Sequence, residues 1–290
     1  MGRPLLLDAW ERPATTVVCC VCCAVWWYLN SRGLGYEDVG VSYRKAVRER
    51  QLWRCVTASF SHVSFVHLLF NMSSLWSLGV VEQMGSRGAG WGTVWYARYT
   101  LVMLVGTMAL VLATTHVLVR YAKLDKYDTV TSVGYSCVVF GWMTYVAVKG
   151  APSGVLSLFG AARVPVNLAP FGSLLFTSLV VPQASFIGHL AGIVIGYLVA
   201  WDAFKWLDTK ATSLLLLGAV AVAAGTYRNG SNDSAGFRAS LVSERGRSVV
   251  ASVFPFFRKA TSGNFAGAGR RLGGEPAPSR LLVSVESADA

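Results

Sequence analysis

The sequence predicts an all-α polytopic membrane protein, and three observations lead to that fold class. Of the 290 residues, 53% are hydrophobic and only 14% are charged, whereas soluble domains carry about a quarter charged residues. Apolar runs long enough to cross a bilayer, roughly 20 residues each, recur along the chain. Ten Trp and eleven Tyr fit the aromatic belts found at membrane surfaces. These features argue against a water-soluble globule.

Seven apolar runs predict seven transmembrane helices, six in one bundle and a seventh near the C-terminus. The fifth run is short and follows two prolines, so six spans remain the alternative. The predicted spans are 14–29, 62–80, 99–119, 129–148, 168–181, 185–203 and 211–227.

Several segments lie outside these spans. Residues 1–13 form an N-terminal segment. Residues 31–61 mix basic with aromatic and apolar side chains, which fits either an amphipathic structure in the membrane interface or a solvated loop. Residues 228–290 are rich in Gly, Ser, Ala and Arg without a sustained period, which predicts a basic, disordered tail.

The net charge of +11 points to membrane lipids rather than to nucleic acid as the polyanionic partner. The basic residues are scattered through the loops and the tail between apolar runs. Such charges attract anionic headgroups at a membrane surface. We therefore expect lipid contacts and no nucleic-acid binding.

The six cysteines predict neither a disulfide framework nor a metal site. Four of them fall inside the first apolar run, where thiols behave as small hydrophobic side chains. A zinc site would need a second ligand cluster and polar neighbours, and the sequence offers neither.

Polar side chains within the spans carry the functional information, because a bilayer excludes them unless they act or pair. His67 and Asn71 are four residues apart, so on a helix they project from one face and can aim donors at a single point. Hydrogen bonds between helices are the alternative. His62 lies about 140° round the helix from His67 and should not share that point.

Two further patterns lie in the fourth and sixth spans. Ser136 follows Gly134 in the middle of the fourth predicted span, where a lone Ser is usually a packing residue. Gly188, Gly192 and Gly196 form a small face that lets another helix approach closely, with His189 beside it. If that neighbour is the Ser136 helix, a Ser–His dyad follows.

Taken together, these residues resemble the rhomboid intramembrane serine proteases. The resemblance covers about residues 14–203, and its motifs occur in the order the family has them. It rests on Trp53-Arg54, on His62, His67 and Asn71, on Gly134-Tyr-Ser136, and on Gly188-His189 with Gly192 and Gly196.

The resemblance implies a rhomboid-like six-helix bundle at 14–203 with an additional helix at 211–227. It implies cleavage of single-pass transmembrane proteins without metal or cofactor. Ser136 would be the nucleophile and His189 the general base, while His67 and Asn71 would line the oxyanion site. His62, Trp53 and Arg54 would organise the first loop.

One residue departs from the family pattern, which has Gly directly after the nucleophile. Cys137 adds a Cβ and a sulfur there, which would narrow the cleft, slow catalysis or abolish it. The competing hypothesis is therefore a weak or inactive homologue that binds transmembrane clients as an adaptor. A third is a transporter or zinc protein lined by His62, His67 and His189.

Overall fold

The computed structural model describes residues 4–84, 92–158, 162–181 and 184–208, together with positions 214, 217, 218 and 221. Apart from those four positions, the predicted seventh span and the whole predicted tail lie outside the described residues. The described residues are predominantly helical, which confirms the all-α membrane fold class. The helices are α1 (Leu5–Glu11), α2 (Pro13–Arg32), α3 (Tyr36–Val39), α4 (Arg54–Phe60), α5 (Phe65–Leu78), α6 (Val80–Met84), α7 (Thr93–Arg120), α8 (Lys126–Thr129), α9 (Ser136–Gly150), α10 (Ala169–Val180) and α11 (Phe186–Ala200).

Within the described residues, α2 and α7 are each long and apolar enough to cross a membrane alone. Helices α4 and α5 meet at an angle of 88°, with the break at residues 61–64. Helices α9, α10 and α11 have 15, 12 and 15 residues. At 1.5 Å per residue these three are shorter than the hydrocarbon core of a bilayer is thick, so by length none of them spans it alone.

The fourth predicted span is wrong in its first half, because residues 130–135 are not helical. Val41 and Ser132 form an antiparallel bridge, with N–O distances of 3.0 and 2.9 Å. The Gly134 amide donates to the Ala58 carbonyl at 2.9 Å, and Gly134 has a φ of +113° that a side chain would strain. The first loop therefore holds this segment out of the helix up to the first residue of α9.

A β-hairpin that the sequence analysis did not predict joins α9 to α10. Strands β1 (Gly154–Leu158) and β2 (Ala162–Val166) pair antiparallel, with Val155 opposite Pro165. The indole N–H of Trp201, just after α11, donates to the Pro165 carbonyl at 2.7 Å. This bond ties the hairpin to the end of α11.

A buried carboxylate joins the start of α2 to the end of α6. Glu82 is 1% exposed and accepts hydrogen bonds from the Ala14 amide, the Thr15 amide and the Thr15 hydroxyl, at 2.8–2.9 Å. The first N–H groups of a helix have no partner within it and carry partial positive charge, so a carboxylate there satisfies both needs. Helix α6, and with it the end of α5 that precedes it, is thereby fixed to the start of α2.

The core of the bundle lies where α7, α9 and α11 meet. Trp142 of α9 is fully buried, stacks on Tyr96 at 4.6 Å between ring centroids and donates its indole N–H to the Thr100 hydroxyl. Helix α11 packs most extensively on α9 and next on α7. This rigid centre positions the polar residues considered next.

Candidate active site

Ser136 and His189 are in direct hydrogen-bond contact. The distance between Ser136 Oγ and His189 Nε2 is 2.8 Å. Ser136 is the first residue of α9, so its predicted place in the middle of a helix is wrong. His189 lies in the first turn of α11, which Ser185 caps by accepting the Gly188 amide at 3.1 Å. Two helix starts therefore bring the hydroxyl and the imidazole together.

The glycine face of α11 makes this approach possible. A Cβ added at Gly192 would overlap the Cys137 carbonyl oxygen, and one added at Gly196 would lie 2.8 Å from Thr144 Cβ. A Cβ at Gly188 would lie 2.9 Å from Cys137 Sγ. All three predicted glycines thus face α9, and backbone lies against backbone along the crossing.

Phe140 holds the imidazole of His189 from one side, and the sequence analysis missed it. Its ring stacks on that of His189 with centroids 4.3 Å apart and an interplanar angle of 17°. Phe140 lies four residues after Ser136, and on a helix this spacing places the two side chains on one face. That spacing is the sequence signal that could have identified Phe140. His189 Nδ1 is buried without a hydrogen-bond partner among the described residues. Stacking on Phe140, rather than a third polar residue, therefore orients the ring.

His67 and Asn71 lie on one face of α5 and line the same cavity as Ser136. The Asn71 side-chain amide donates to the His67 carbonyl at 2.9 Å, which uses one of its two hydrogens. Gly134 lies directly against the His67 ring, because a Cβ there would lie 2.6 Å from His67 Cε1. The four-residue spacing of His67 and Asn71 predicted that their side chains point to one region, and the structure places both in the lining of this cavity.

His62 lies closer to His67 than the helical geometry predicted. The chain is not helical at residues 61–64, so the 140° separation does not apply. The two imidazole rings are 5.2 Å apart, edge to face. His62 is fully buried, and its Nε2 lies 3.4 Å from the Tyr135 amide, which donates to it. This residue therefore joins the start of α5 to the residue that precedes Ser136.

Trp53 and Arg54 organise the first loop rather than the cavity. Arg54 is 5% exposed, and its guanidinium donates to the carbonyls of Asp38 and Gly40 at 2.7 and 3.0 Å. The same guanidinium lies 4.5 Å from the centroid of the Trp53 ring. These bonds fold the loop back on α4, next to the Val41 backbone that pairs with Ser132.

Cys137 points away from the cavity. Its side chain is 7% exposed and belongs to a small apolar cluster with Val41, Ala46, Ala58 and Met108. It is absent from the residues that line the cavity. The thiol therefore fills space between the first loop and helices α7 and α9, and it does not narrow the cleft.

The cavity has a volume of about 310 Å³, is partly open, and is lined by residues of both α5 and α10 among others. Ser136, His189, His67 and Asn71 all line it, together with apolar side chains and several further hydroxyl-bearing residues. Within the described residues, no three His, Cys, Asp or Glu side chains converge as metal ligands, and this includes the three histidines near the cavity.

Comparison with known proteins places these features in a family. The Rhomboid domain matches residues 49–206. The chain is 30% identical over 164 residues to Rhomboid-like protein 15 of Arabidopsis thaliana, covering 54% of this chain and 38% of that protein. It is 26% identical over 183 residues to Rhomboid-related protein 4 of Homo sapiens, covering 62% and 55%.

A third relative carries an enzymatic name. The chain is 29% identical over 154 residues to Rhomboid-type serine protease B of Aspergillus fumigatus, covering 53% of each chain. The chain thus spans about half or less of the length of these relatives.

Proposed function

This chain belongs to the rhomboid family, and on that premise we propose that it is an intramembrane serine endopeptidase. The observation that carries the proposal is the 2.8 Å contact between Ser136 Oγ and His189 Nε2 within a cavity among membrane helices. A nucleophile and a base within hydrogen-bond distance are the minimal equipment for acyl transfer. The serine protease name of one relative supports the same reaction class.

The dyad performs the reaction in two steps. His189 Nε2 takes the proton of the Ser136 hydroxyl as Oγ attacks the scissile carbonyl carbon, and the new C–O bond gives a tetrahedral intermediate. The C–N bond then breaks, and the same imidazole returns the proton to the leaving amine. Water, activated by His189, hydrolyses the acyl-enzyme and restores the Ser136 hydroxyl. Phe140 keeps the ring in place throughout.

The negatively charged oxygen of the tetrahedral intermediate is stabilised by donors from α9 and from α5. The backbone N–H of Ser136 has no hydrogen-bond partner among the described residues and lies at the positive end of the α9 dipole. The side chains of His67 and Asn71 supply further donors from α5. Each well-placed donor is worth about 3 kcal/mol in the transition state.

The segment before Ser136 provides a place for an extended substrate. Residues 131–133 line the cavity, and Ser132 uses its backbone to pair with Val41 on one side. A peptide that lies along the other side can add main-chain hydrogen bonds, as peptides do at exposed strand edges. Because the cavity is partly open and lies among apolar helices, with α5 and α10 both in its lining, we propose single-pass transmembrane proteins as substrates that arrive from the lipid.

The adaptor alternative depended on Cys137 obstructing the cleft. Its side chain packs in the loop cluster instead, and this placement favours the protease. The test is co-expression with tagged single-pass reporters. Wild type should cleave at least one reporter, and Ser136→Ala should lower cleavage by about a thousandfold or more. Equal cleavage by wild type and Ser136→Ala would overturn the proposal.

A further inference from the structure

Two arginines of the first loop hold one buried carboxylate between them. Arg44 and Arg48 lie at the two ends of a single π-helical turn, and Asp128 belongs to α8. Arg44 Nε donates to Asp128 Oδ2 at 3.0 Å, and Arg48 Nε lies 3.0 Å from Oδ1. The carboxylate side chain is 6% exposed, whereas the two arginine side chains are 54% and 52% exposed. Both guanidinium groups are therefore anchored to a buried group and still accessible.

The two guanidinium groups keep unused charge and unused hydrogen-bond donors. One carboxylate balances only one of the two positive charges. Each arginine contacts Asp128 through Nε, and neither side chain makes a further hydrogen bond to a described residue. A guanidinium carries five N–H donors in a fork that fits the oxygens of an anion. The terminal amino groups of both arginines are therefore available to one further anion.

The segments around this pair add to its positive charge. Residues 44–50 and 120–128 carry seven basic and three acidic residues. Glu37 is a fourth carboxylate nearby, and it pairs with Lys45 at 2.8 Å. Basic residues still outnumber acidic ones, so the local electrostatic potential favours a bound anion.

The pair lies beside the end of a helix that reaches the membrane surface. Helix α7 has 28 residues and is about 42 Å long, which matches a bilayer with its headgroups, about 40–45 Å. The last turns of α7 contact the first loop, because the Tyr43 hydroxyl lies 2.8 Å from His116 Nδ1. The Arg48 guanidinium lies 6.0 Å from the centroid of the same Tyr43 ring. The two arginines are therefore expected at the level of the lipid phosphates.

Exposed apolar side chains beside the pair can contact acyl chains. Val117 and Tyr121 are each more than half exposed, and the Tyr121 ring lies 6.1 Å from that of His116. Val47, which lies between the two arginines in the π-helical turn, is also exposed. A soluble anion would gain nothing from these side chains, whereas a phospholipid can contact them and the guanidinium groups together.

We propose that Arg44 and Arg48 form a binding site for a phospholipid whose headgroup is a phosphate monoester, as in phosphatidic acid. Two guanidinium forks can share the three terminal oxygens of a monoester, and a diester lipid offers fewer. Zwitterionic lipids carry an ammonium group that the excess positive charge repels. The inference is independent of the proposed protease activity, because neither arginine lines the cavity.

A bound lipid would stabilise the loop segment next to the candidate active site. Val41 lies three residues before Arg44, and Ser132 lies four residues after Asp128. These two residues form the antiparallel bridge that holds the chain out of the helix before α9. A ligand that binds the folded site raises its stability by mass action, so phosphatidic acid should raise the melting temperature.

The experiment measures lipid binding to the full-length protein. Nanodiscs of phosphatidylcholine are doped with phosphatidic acid, phosphatidylglycerol or neither, and the lipid retained by the protein is counted by native mass spectrometry. The test variant is Arg44→Gln/Arg48→Gln/Asp128→Asn, which leaves no buried charge unpaired. Arg50→Gln is the matched control, since each of the two proteins loses one net positive charge. Arg44→Lys/Arg48→Lys keeps the charges and loses the planar forks.

We expect the wild type and Arg50→Gln to retain phosphatidic acid over phosphatidylglycerol by about fivefold, the effect of one further charge pair. The triple variant should bind phosphatidic acid about twentyfold more weakly, since each arginine near an anionic headgroup contributes about fivefold. The lysine variant should lose the preference for the monoester and keep a salt-sensitive attraction to both anionic lipids. Thermal unfolding in undoped nanodiscs checks that each variant is folded.

Three outcomes would overturn the site. Equal retention of phosphatidic acid by the triple variant and by Arg50→Gln would mean that general positive charge attracts the lipid. Full preference for the monoester in the lysine variant would contradict the role of the forks, and this arm decides if the triple variant unfolds, because Asp128 keeps a cationic partner in it. Binding of soluble glycerol 3-phosphate as tight as that of phosphatidic acid, measured by calorimetry, would mean that the ligand is not a lipid.

Discussion

The two sides of α9 present opposite kinds of contact. Towards α11 the helix is in backbone contact, because a Cβ at Gly192 would overlap the Cys137 carbonyl oxygen. Towards α5 and α10 the same helix lies at the bottom of a groove that no described side chain fills. Ser136 begins α9 and lies where the closed side and the open side meet.

This difference separates two requirements of catalysis in a membrane. The dyad needs a fixed distance between Oγ and Nε2, and close helix packing without side-chain freedom provides it. A substrate of the proposed protease would need room to enter from the lipid, and the groove between α5 and α10 provides such room. The account therefore predicts that substitutions on the closed side disturb chemistry and stability, whereas those on the open side change selectivity.

The largest effect is expected at the closed side. Gly192→Ala should push α11 away from α9, because its Cβ meets main chain that cannot rotate aside. Overpacking of this kind costs about 1–3 kcal/mol, and separation of the dyad should reduce cleavage by more than about tenfold. Thermal unfolding and reporter cleavage measure the two effects.

Gly150→Ala at the end of α9 is the matched control, since a Cβ there meets nothing within 4 Å and Gly150 lines neither the cavity nor the groove. We expect a melting temperature and a cleavage rate close to those of the wild type. If Gly192→Ala behaves like this control, the close approach of α9 and α11 is not what positions the dyad.

A smaller effect is expected from the ring that stacks on His189. Phe140→Leu keeps an apolar side chain but loses the planar contact at 4.3 Å. The imidazole should then sample other orientations, so kcat should fall by about tenfold while KM changes little. Phe140→Tyr should retain most of the rate because the ring remains. Equal kcat for Phe140→Leu and wild type would show that the stack does not orient His189.

The smallest effect concerns Cys137. Because its side chain packs with Val41, Ala46 and Ala58, Cys137→Gly should leave a cavity between the first loop and α9. Loss of so small a group costs about 1–2 kcal/mol, visible as a lower melting temperature. Activity should not rise, since the thiol does not line the cleft. A clear gain of cleavage in Cys137→Gly would mean that the thiol does restrict the site.

Much of the architecture could be predicted from local patterns. Apolar runs indicated α2, α7 and α11, and the glycine spacing at 188, 192 and 196 indicated a close helix contact beside His189. These features depend on the pattern within a single helix, whereas the identity of the neighbouring helix, which carries Ser136, stayed conditional until the structure showed it. The family and the membrane location are confirmed, while the catalytic roles remain predictions.

What could not be predicted depends on distant pairing. The apolar run at 129–148 reads as one helix, yet Ser132 pairs with Val41, 91 residues earlier in the chain, and stays extended. His62 lies next to His67 because the break before α5 removes the helical geometry, and its distant partner is the Tyr135 amide, 73 residues later in the chain. The spacing of apolar residues predicts which residues share a helix face. It does not predict the contact of Ser132 with Val41 or the position of His62.

Reaction of the full-length protein in nanodiscs with a fluorophosphonate tests the central claim most directly. The reagent phosphonylates only an activated serine, with loss of fluoride, and needs no knowledge of the substrate. Mass mapping should place the adduct on Ser136 in the wild type, with no adduct in Ser136→Ala and a strongly reduced rate in His189→Ala. An unlabelled wild type, or equal labelling of His189→Ala, would contradict the assignment of a catalytic dyad.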